Sequence, residues 1–112
     1  MAASVAAASD ASVRLVVQSS TLAGFRYHAA AQVFDELRVG HELQLVREAN
    51  NPYDGNAISV SWRGHKLGYV PRRVNAALAW AMDGGETPRA RISRLAPQAP
   101  AARRIEFEVT LE

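Results

Sequence analysis

Short segments in which hydrophobic and polar residues alternate recur along this chain. A period of two is typical of β-strands with one buried face, and turn-forming residues separate the segments. We expect the first segment to be a central strand, because it is apolar and rich in β-branched residues. In residues 24–33, strand and helix signals compete; a second strand is the favoured interpretation, and the assignment stays open there. The other strands are predicted at residues 13–18, 42–48, 57–63, 66–70, 89–95 and 103–111.

Turn and helix signals connect these strands. Residues 50–56 are rich in turn formers and lie between two predicted strands, so they form a polar loop. Arg63 and Gly64 leave the shortest gap in the chain, which predicts a β-hairpin. Pro71 suits the first turn of a helix that ends at Gly84. The predicted buried positions of this helix follow at helical spacing: Val74, Ala77, Leu78 and Ala81.

The elements together predict a mainly β fold with one or two short helices, arranged as a small, OB-like, partly closed β-barrel. A length of 112 residues suits one core, and we expect one domain at residues 13–112 after a disordered segment at residues 1–12. The chain has no cysteine, which excludes disulfides and thiolate zinc sites. No apolar run approaches the ~20 residues that cross a bilayer, so no membrane insertion is expected.

Positive charge is concentrated in the middle of the chain. Residues 63–104 hold nine arginines and lysines against only Asp83 and Glu86, although the whole chain has a net charge of +2. If these side chains lie close together, they create a positive surface that would attract an anionic partner. The alternative, that the arginines solvate the faces of strands, is equally compatible with the charge pattern.

The sequence favours a binding protein over an enzyme. Oxygen ligands recur at Asn50, Asp54 and Asn56, but a calcium loop of the EF-hand type requires a bidentate glutamate that is missing here. No serine stands in a nucleophile motif, and Asp54 has no acidic partner nearby in the sequence. We therefore expect no catalytic residue, metal or cofactor. A zinc site is not expected either, because no short metal-ligand spacing joins the three histidines, His28, His41 and His65.

Aromatic and basic residues occur together in and beside the polar loop. Arg26, Tyr27 and His28 are consecutive, and Tyr53 and Tyr69 lie in or near the loop and hairpin. Such groups suit stacked bases and phosphates. Asn-Pro and Asp-Gly pairs also form ordinary turns, so the spacing alone leaves both interpretations open. Two further aromatic residues, Phe25 and Trp62, are predicted to be core.

Three segments of the sequence resemble the HIRAN domain. They are Gly-Phe-Arg-Tyr at residues 24–27, Leu-Val-Arg-Glu-Ala-Asn-Asn-Pro-Tyr-Asp-Gly-Asn-Ala-Ile-Ser-Val at residues 45–60, and Lys-Leu-Gly-Tyr-Val-Pro-Arg at residues 66–72. The similarity extends from about Val13 to Glu108. HIRAN domains occur in fork-remodelling helicases, where an OB-like barrel captures the 3′-hydroxyl end of single-stranded DNA. The resemblance implies the same binding activity here, with a role in DNA processing or repair.

The resemblance also implies roles for individual residues. Tyr27 and Tyr53 would stack on the terminal bases, and Asp54 would accept a hydrogen bond from the 3′-hydroxyl. His28 stands where the helicase version can carry a phenol, and Tyr69 where it can carry a histidine, so ring character is kept at both positions. The remaining residues implied are Asn50 and Asn51, which would line the pocket, and Arg26 and Arg72, which would hold phosphates.

Other interpretations remain open. No helicase motor or nuclease segment accompanies the domain in these 112 residues, so the resemblance implies that a monomeric domain acts with a partner helicase or nuclease. A non-catalytic module that binds a protein or small polar ligand is the alternative. A cytoplasmic location is expected, or a periplasmic one if an export signal lay upstream of Val13. Phosphodiester hydrolysis is disfavoured because no acidic pair for metal binding is visible.

Overall fold

The computed structural model describes residues 15–111, and within them the fold is built on one six-stranded antiparallel sheet. The order of the strands across the sheet is β1-β6-β5-β2-β3-β4. The expected disordered segment at residues 1–12 lies outside the described residues. The strands are β1 (Leu15–Thr21), β2 (Glu42–Arg47), β3 (Ile58–Trp62), β4 (His65–Tyr69), β5 (Arg89–Leu95) and β6 (Ile105–Leu111).

The sheet curls until its two ends nearly meet. Just after β1, the backbone N–H of Ala23 donates to the carbonyl oxygen of Tyr69 at 2.9 Å, and the N–H of Tyr69 donates back to Ala23 at 2.9 Å. This isolated bridge joins the chain beside one edge strand to β4, the strand at the other edge. The sheet is therefore a small OB-like barrel that is partly open, as the sequence predicts.

Helical segments fill the connections between strands. There are two α-helices, α1 (Ala30–Val33) and α2 (Ala76–Asp83). The strand favoured for residues 24–33 is wrong, because this stretch forms a short 3-10 turn at Phe25–Tyr27 followed by α1. Alanines, which favour helices, dominate that stretch and outweigh its strand signals. The other 3-10 turns are Phe34–Glu36, Arg72–Val74 and Ala101–Arg103.

The predicted helix begins later than expected and buries a different face. Pro71 precedes the 3-10 turn, and α2 begins only at Ala76. Leu78 is buried as predicted, but Val74 and Ala77 are exposed. A 3-10 turn has three residues per turn, whereas an α-helix has 3.6. The single helical period assumed for residues 71–84 therefore predicts the wrong buried face. The face that packs inward consists of Asn75, Leu78 and Ala79.

The expectation that the first strand is central is also wrong. β1 pairs only with β6 and forms one edge of the sheet. Its side chains at Leu15, Val16 and Val17 are exposed, and the register shifts between Val16 and Gln18. Such irregularities are common at sheet edges, where a strand needs no partner on its outer side. Runs of β-branched residues therefore do not locate a strand within the sheet.

The hairpin and the core agree with the sequence. Arg63 and Gly64 have φ angles of 48° and 85°, which is the left-handed backbone that tight hairpins between β3 and β4 require. Phe25 and Trp62 are buried, as predicted. The interior of the barrel is aliphatic around Phe107 and includes residues from every strand except β1. Within residues 15–111, no helix is long and apolar enough to cross a membrane.

Candidate nucleic-acid interface

An open groove of about 600 Å³ lies where the two ends of the sheet meet. It is formed by the chain after β1, the loop between β2 and β3, the end of β4 and the segment before α2. Three separate stretches of the chain, residues 23–28, 51–57 and 69–75, thus share one surface. Seven of the nine predicted binding residues line it: Tyr27, His28, Asn51, Tyr53, Asp54, Tyr69 and Arg72.

The other two predicted residues lie beside the groove without lining it. Arg26 is exposed in the same 3-10 turn as Tyr27, and Asn50 is exposed in the loop next to Asn51. The groove also includes residues that the sequence did not single out: Ala23, Pro52, Ala57, Val70 and Asn75.

Asp54 is held in a fixed position at the bottom of the loop. Its Oδ1 accepts a hydrogen bond from the backbone N–H of Asn56 at 2.9 Å, and its Oδ2 accepts from Nδ2 of Asn75 at 2.8 Å. Nε of Arg72 lies 3.8 Å from Oδ2. The pKa of Asp54 is lowered, first by the backbone hydrogen bond from Asn56 and then by the side-chain hydrogen bond from Asn75. The positive charges of Arg72 and Arg47 lower it further. The carboxylate is therefore ionised at neutral pH.

Asn75 is the site residue that sequence reasoning missed. It is buried directly before α2, and its side chain points to Asp54, which is 21 residues earlier in the chain. A polar residue preceding an alanine-rich helix is a candidate helix cap, and that was the available signal. Its amide instead reaches across to the loop, a contact that only the tertiary structure reveals.

Asn51 organises the loop around Asp54. Its Oδ1 accepts hydrogen bonds from the backbone N–H groups of Tyr53 at 2.8 Å and Asp54 at 3.2 Å. Its Nδ2 donates to Oε1 of Glu48 at 3.1 Å. The side chain thus acts as a turn-forming asparagine within the loop and connects that loop to a carboxylate at the end of β2.

Glu48 is the centre of a polar network behind the groove. Its Oε1 also accepts from the hydroxyl of Tyr69 at 2.8 Å, and its Oε2 accepts from Nζ of Lys66 at 3.0 Å. Nζ of Lys66 also donates to the hydroxyl oxygen of Tyr69 at 2.6 Å. Burial raises the pKa of Glu48, but the hydrogen bonds from Lys66, Asn51 and Tyr69 outweigh it and lower the pKa to about 2. The hydroxyl of Tyr69 is hydrogen-bonded within this network, so Tyr69 lines the groove with its ring.

His28 and Tyr69 form one wall of the groove. Their rings meet edge to face, with centroids 5.4 Å apart. Burial first, and the positive charge of Lys66 second, lower the pKa of His28. The imidazole is therefore neutral at pH 7, and the wall offers aromatic surface without adding a positive charge.

Two tyrosine rings are exposed along the same groove. Tyr27 and Tyr53 each expose 83% of their surface, although both belong to ordered segments. Arg72 lies beside Tyr53, because its Nη2 donates to the carbonyl oxygen of Tyr53 at 2.6 Å. The site therefore combines exposed aromatic faces, one ionised carboxylate and one long, exposed cationic side chain. Residues 15–111 hold no cluster of three or more His, Asp or Glu side chains that could bind a metal.

Comparison with known proteins agrees with this architecture. A crystal structure of a protein from Lactobacillus plantarum superposes with a TM-score of 0.77 at 33% identity, covering 88% of this chain and 95% of the other. The crystal structure of the HIRAN domain of human HLTF superposes with a TM-score of 0.68 at 24% identity, covering 88% and 78%. At that lower identity, the second likeness establishes the fold.

The sequence comparisons cover a shorter stretch. Helicase-like transcription factor from Oryctolagus cuniculus is 41% identical over 61 residues, and the Homo sapiens protein is 36% identical over the same length. These matches cover 54% of this chain and only 6% of each relative. The family model of the HIRAN domain matches residues 15–112, which is nearly the whole chain. This chain therefore belongs to the HIRAN domain family.

Proposed function

We propose that this HIRAN domain binds the 3′-hydroxyl end of single-stranded DNA in the groove, without catalysing a reaction. The position of Asp54 carries the proposal. An ionised carboxylate lines the same groove as two exposed tyrosine rings. A free hydroxyl can donate a hydrogen bond to a carboxylate, whereas a terminal phosphate would be repelled by it. A single carboxylate can thus distinguish the two kinds of strand end.

Asp54 retains the capacity to accept a ligand. An ionised carboxylate offers about four lone-pair positions. The N–H of Asn56 and the amide of Asn75 each occupy one position, and Arg72 lies beyond hydrogen-bond distance at 3.8 Å. Positions for a hydroxyl therefore remain, on a side chain whose orientation is already fixed. Little conformational entropy is lost when a ligand binds to such a group.

The rest of the groove suits the remaining parts of a nucleotide. Tyr27 and Tyr53 offer ring faces on which bases can stack, an interaction of roughly 1–3 kcal/mol per base. Arg72 lines the same groove with 74% of its side chain exposed, which allows it to reach a phosphate. Stacking is indifferent to base identity. We therefore expect binding that depends on the strand end and little on sequence.

The decisive experiment compares oligonucleotides that differ only at the 3′ terminus. Fluorescence anisotropy titrations with a 3′-hydroxyl and a 3′-phosphate version of one short oligothymidylate measure both dissociation constants. We expect tighter binding of the hydroxyl version. Asp54→Asn should reduce its affinity about 10-fold, because it removes a charged hydrogen-bond acceptor. The same variant should bind the 3′-phosphate version no more weakly than the wild type does.

Asp35→Asn is the matched control, since Asp35 is exposed on the turn after α1 and does not line the groove. It should leave both dissociation constants unchanged. Thermal unfolding of each variant establishes that the fold is intact. Equal affinity of the wild type for both termini, or no binding to either at low salt, would contradict the proposed function.

A further inference from the structure

Trp80 is exposed on the outer face of α2. The helix packs inward through Leu78 and Ala79, and Trp80 exposes 80% of its surface. Exposed tryptophan is uncommon in a folded domain, and it is enriched where proteins contact ligands or partners. Burial therefore does not explain this residue. Its position relative to the groove suggests another role.

Helix α2 is tied to the groove at both ends. At its start, Asn75 donates to Asp54. At its end, Asp83 accepts two hydrogen bonds from Arg47, at 2.9 and 3.0 Å, and Nη1 of Arg47 donates to the carbonyl oxygen of Ala57 at 3.0 Å. Asp54 and Ala57 both line the groove. The helix therefore runs along the loop that forms the groove, and Trp80 lies between the two attachments.

Trp80 follows Asn75 by five residues, which corresponds to about 7.5 Å along the helix axis and about 140° around it. The indole therefore projects from a different side of the helix than the Asn75 amide, which contacts Asp54. A polynucleotide that leaves the groove along α2 passes within reach of the indole after a few nucleotides. OB-like modules typically contact about 4–16 nucleotides, more than the two bases that Tyr27 and Tyr53 can accommodate. A strand bound at its end thus requires further contacts.

The charges around the helix differ between its two ends. Arg72 and Arg73 are exposed on the N-terminal side of Trp80. On its C-terminal side, a cavity of about 470 Å³ is lined by Trp80, Asp83 and Glu86 among others. Phosphates would be attracted to the arginines and repelled by Glu86, whereas a base carries no charge. A strand can therefore place its phosphates near the arginines and one base on the indole.

We propose that Trp80 is a third stacking position, which binds a base upstream of the 3′ end held in the groove; this inference rests on the proposed function. Within residues 15–111, only three Phe, Tyr or Trp side chains expose four-fifths of their surface or more, namely Tyr27, Tyr53 and Trp80. Two of them line the groove, and the third lies on the helix attached to it. The domain thus contacts several nucleotides upstream of the 3′ end that it binds.

A length series tests this proposal. Oligothymidylates of two to eight nucleotides with a free 3′-hydroxyl are titrated against the wild type, Trp80→Ala and Trp80→Tyr. Wild-type affinity should increase with length until a base reaches Trp80. Trp80→Ala should bind the dinucleotide normally but should bind the longer oligonucleotides roughly 5- to 150-fold more weakly, the range expected for loss of one stacked base. Trp80→Tyr should restore most of the affinity.

Val39→Ala is the matched control, because Val39 is an exposed apolar residue at the opposite end of β2 from Arg47. It should behave as the wild type at every length. A second readout is acrylamide quenching of tryptophan fluorescence. Trp62 is buried, so quenching in the free protein reports mainly on Trp80. Long oligonucleotides should reduce this quenching, and the dinucleotide should not.

The outcomes separate the two proposals. If the wild type binds no oligonucleotide, or binds 3′-hydroxyl and 3′-phosphate ends equally, the proposed function fails. If end-specific binding is intact but Trp80→Ala matches the wild type at all lengths, only the role of Trp80 is refuted. An equal loss at every length, the dinucleotide included, also refutes it, because the substitution would then act on the groove itself.

Discussion

At the scale of single residues, the amide of Asn51 couples the candidate site to the network behind it. One end of this side chain accepts from the backbone of Tyr53 and Asp54, and the other end donates to Glu48. Glu48 in turn accepts from Lys66. The orientation of Asp54 therefore depends on a carboxylate that does not line the groove. Glu48 is thus a positioning residue for the candidate site.

Removing the charge of Glu48 should alter stability in acid. Its pKa of about 2 lies below the ordinary value of 4.5, so the folded state favours the charged form. That contribution is fully present above pH 4.5 and is lost as the pH falls towards 2. Glu48→Gln should lower the free energy of unfolding at pH 7 by about 2 kcal/mol, allowing for partial exposure. It should also flatten the loss of stability below pH 4.5, measured by urea unfolding.

Glu108→Gln is the control for this prediction. The side chain of Glu108 is as exposed as that of Glu48, at 27%, and it pairs with Arg91 across β5 and β6. It should retain the acid dependence of the wild type. If Glu48→Gln shows the same pH dependence as the wild type, the network does not stabilise the folded state in the way described.

Most of the site residues could be predicted from the sequence, because they belong to contiguous motifs. Seven of the nine predicted residues line one groove. The roles of Asn75 and Glu48 could not be predicted, since each contacts residues 18 to 21 positions away. Such contacts are set by how the loop, β4 and α2 pack together. A local sequence pattern contains no information about that packing.

At the scale of elements, the alternation of hydrophobic and polar residues predicted most strands correctly. It did not predict where a strand lies in the sheet. The β3–β4 hairpin was predicted from the tight Arg63-Gly64 connection, and the strands β5 and β6 were predicted from their strict alternation. The pattern failed at β1, where apolar residues lie at an exposed edge, and at residues 24–33, where alanines form a helix. A period of two shows that a strand forms. It does not show which neighbours the strand has.

The close approach between β4 and the chain after β1 depends on Gly68. A Cβ atom at this position would lie 2.2 Å from the carbonyl oxygen of Ala23, a backbone atom that cannot rotate away. Gly68→Ala should therefore separate the two segments and lower the free energy of unfolding by about 1–3 kcal/mol. Because Tyr27 follows Ala23 closely, the affinity for 3′-hydroxyl oligonucleotides should fall as well. Urea unfolding and anisotropy titration measure the two effects.

Gly55→Ala provides the comparison for Gly68→Ala. A Cβ atom at Gly55 would have no neighbour within 4 Å, so its stability should change by no more than about 0.5 kcal/mol. Wild-type stability in Gly68→Ala would show that the two segments tolerate separation, contrary to the geometry.

At the scale of the whole molecule, the basic middle of the chain is largely compensated locally. Arg91 pairs with Glu108, Arg94 with Glu106, and Lys66 with Glu48. Arg91 and Arg94 thus form ion pairs between β5 and β6 and do not add to one uncompensated positive surface. Arg72 is the basic side chain that lines the groove, and it is 74% exposed there and available to an anionic strand.

This distribution predicts which arginine controls the salt dependence of binding. Each phosphate contact to a single strand contributes about 0.7 to the slope of log K against log salt concentration. Arg72→Ala should reduce the magnitude of that slope by about 0.7. Arg94→Ala should leave it unchanged, although the two side chains are similarly exposed, at 74% and 68%. Titrations between about 50 and 300 mM salt, a range over which the Debye length falls roughly twofold, measure both slopes.

The bridge between Ala23 and Tyr69 gives the groove a further property. These two hydrogen bonds are the seam at which the barrel closes, and both residues line the groove. Leu22 on one side of this seam and Leu67 on the other belong to the same hydrophobic core as Phe107, so the packing of the core supports the closure. Under the proposed function, a strand end bound in the groove would contact both sides of this bridge. Ligand binding and closure of the barrel would then be thermodynamically linked.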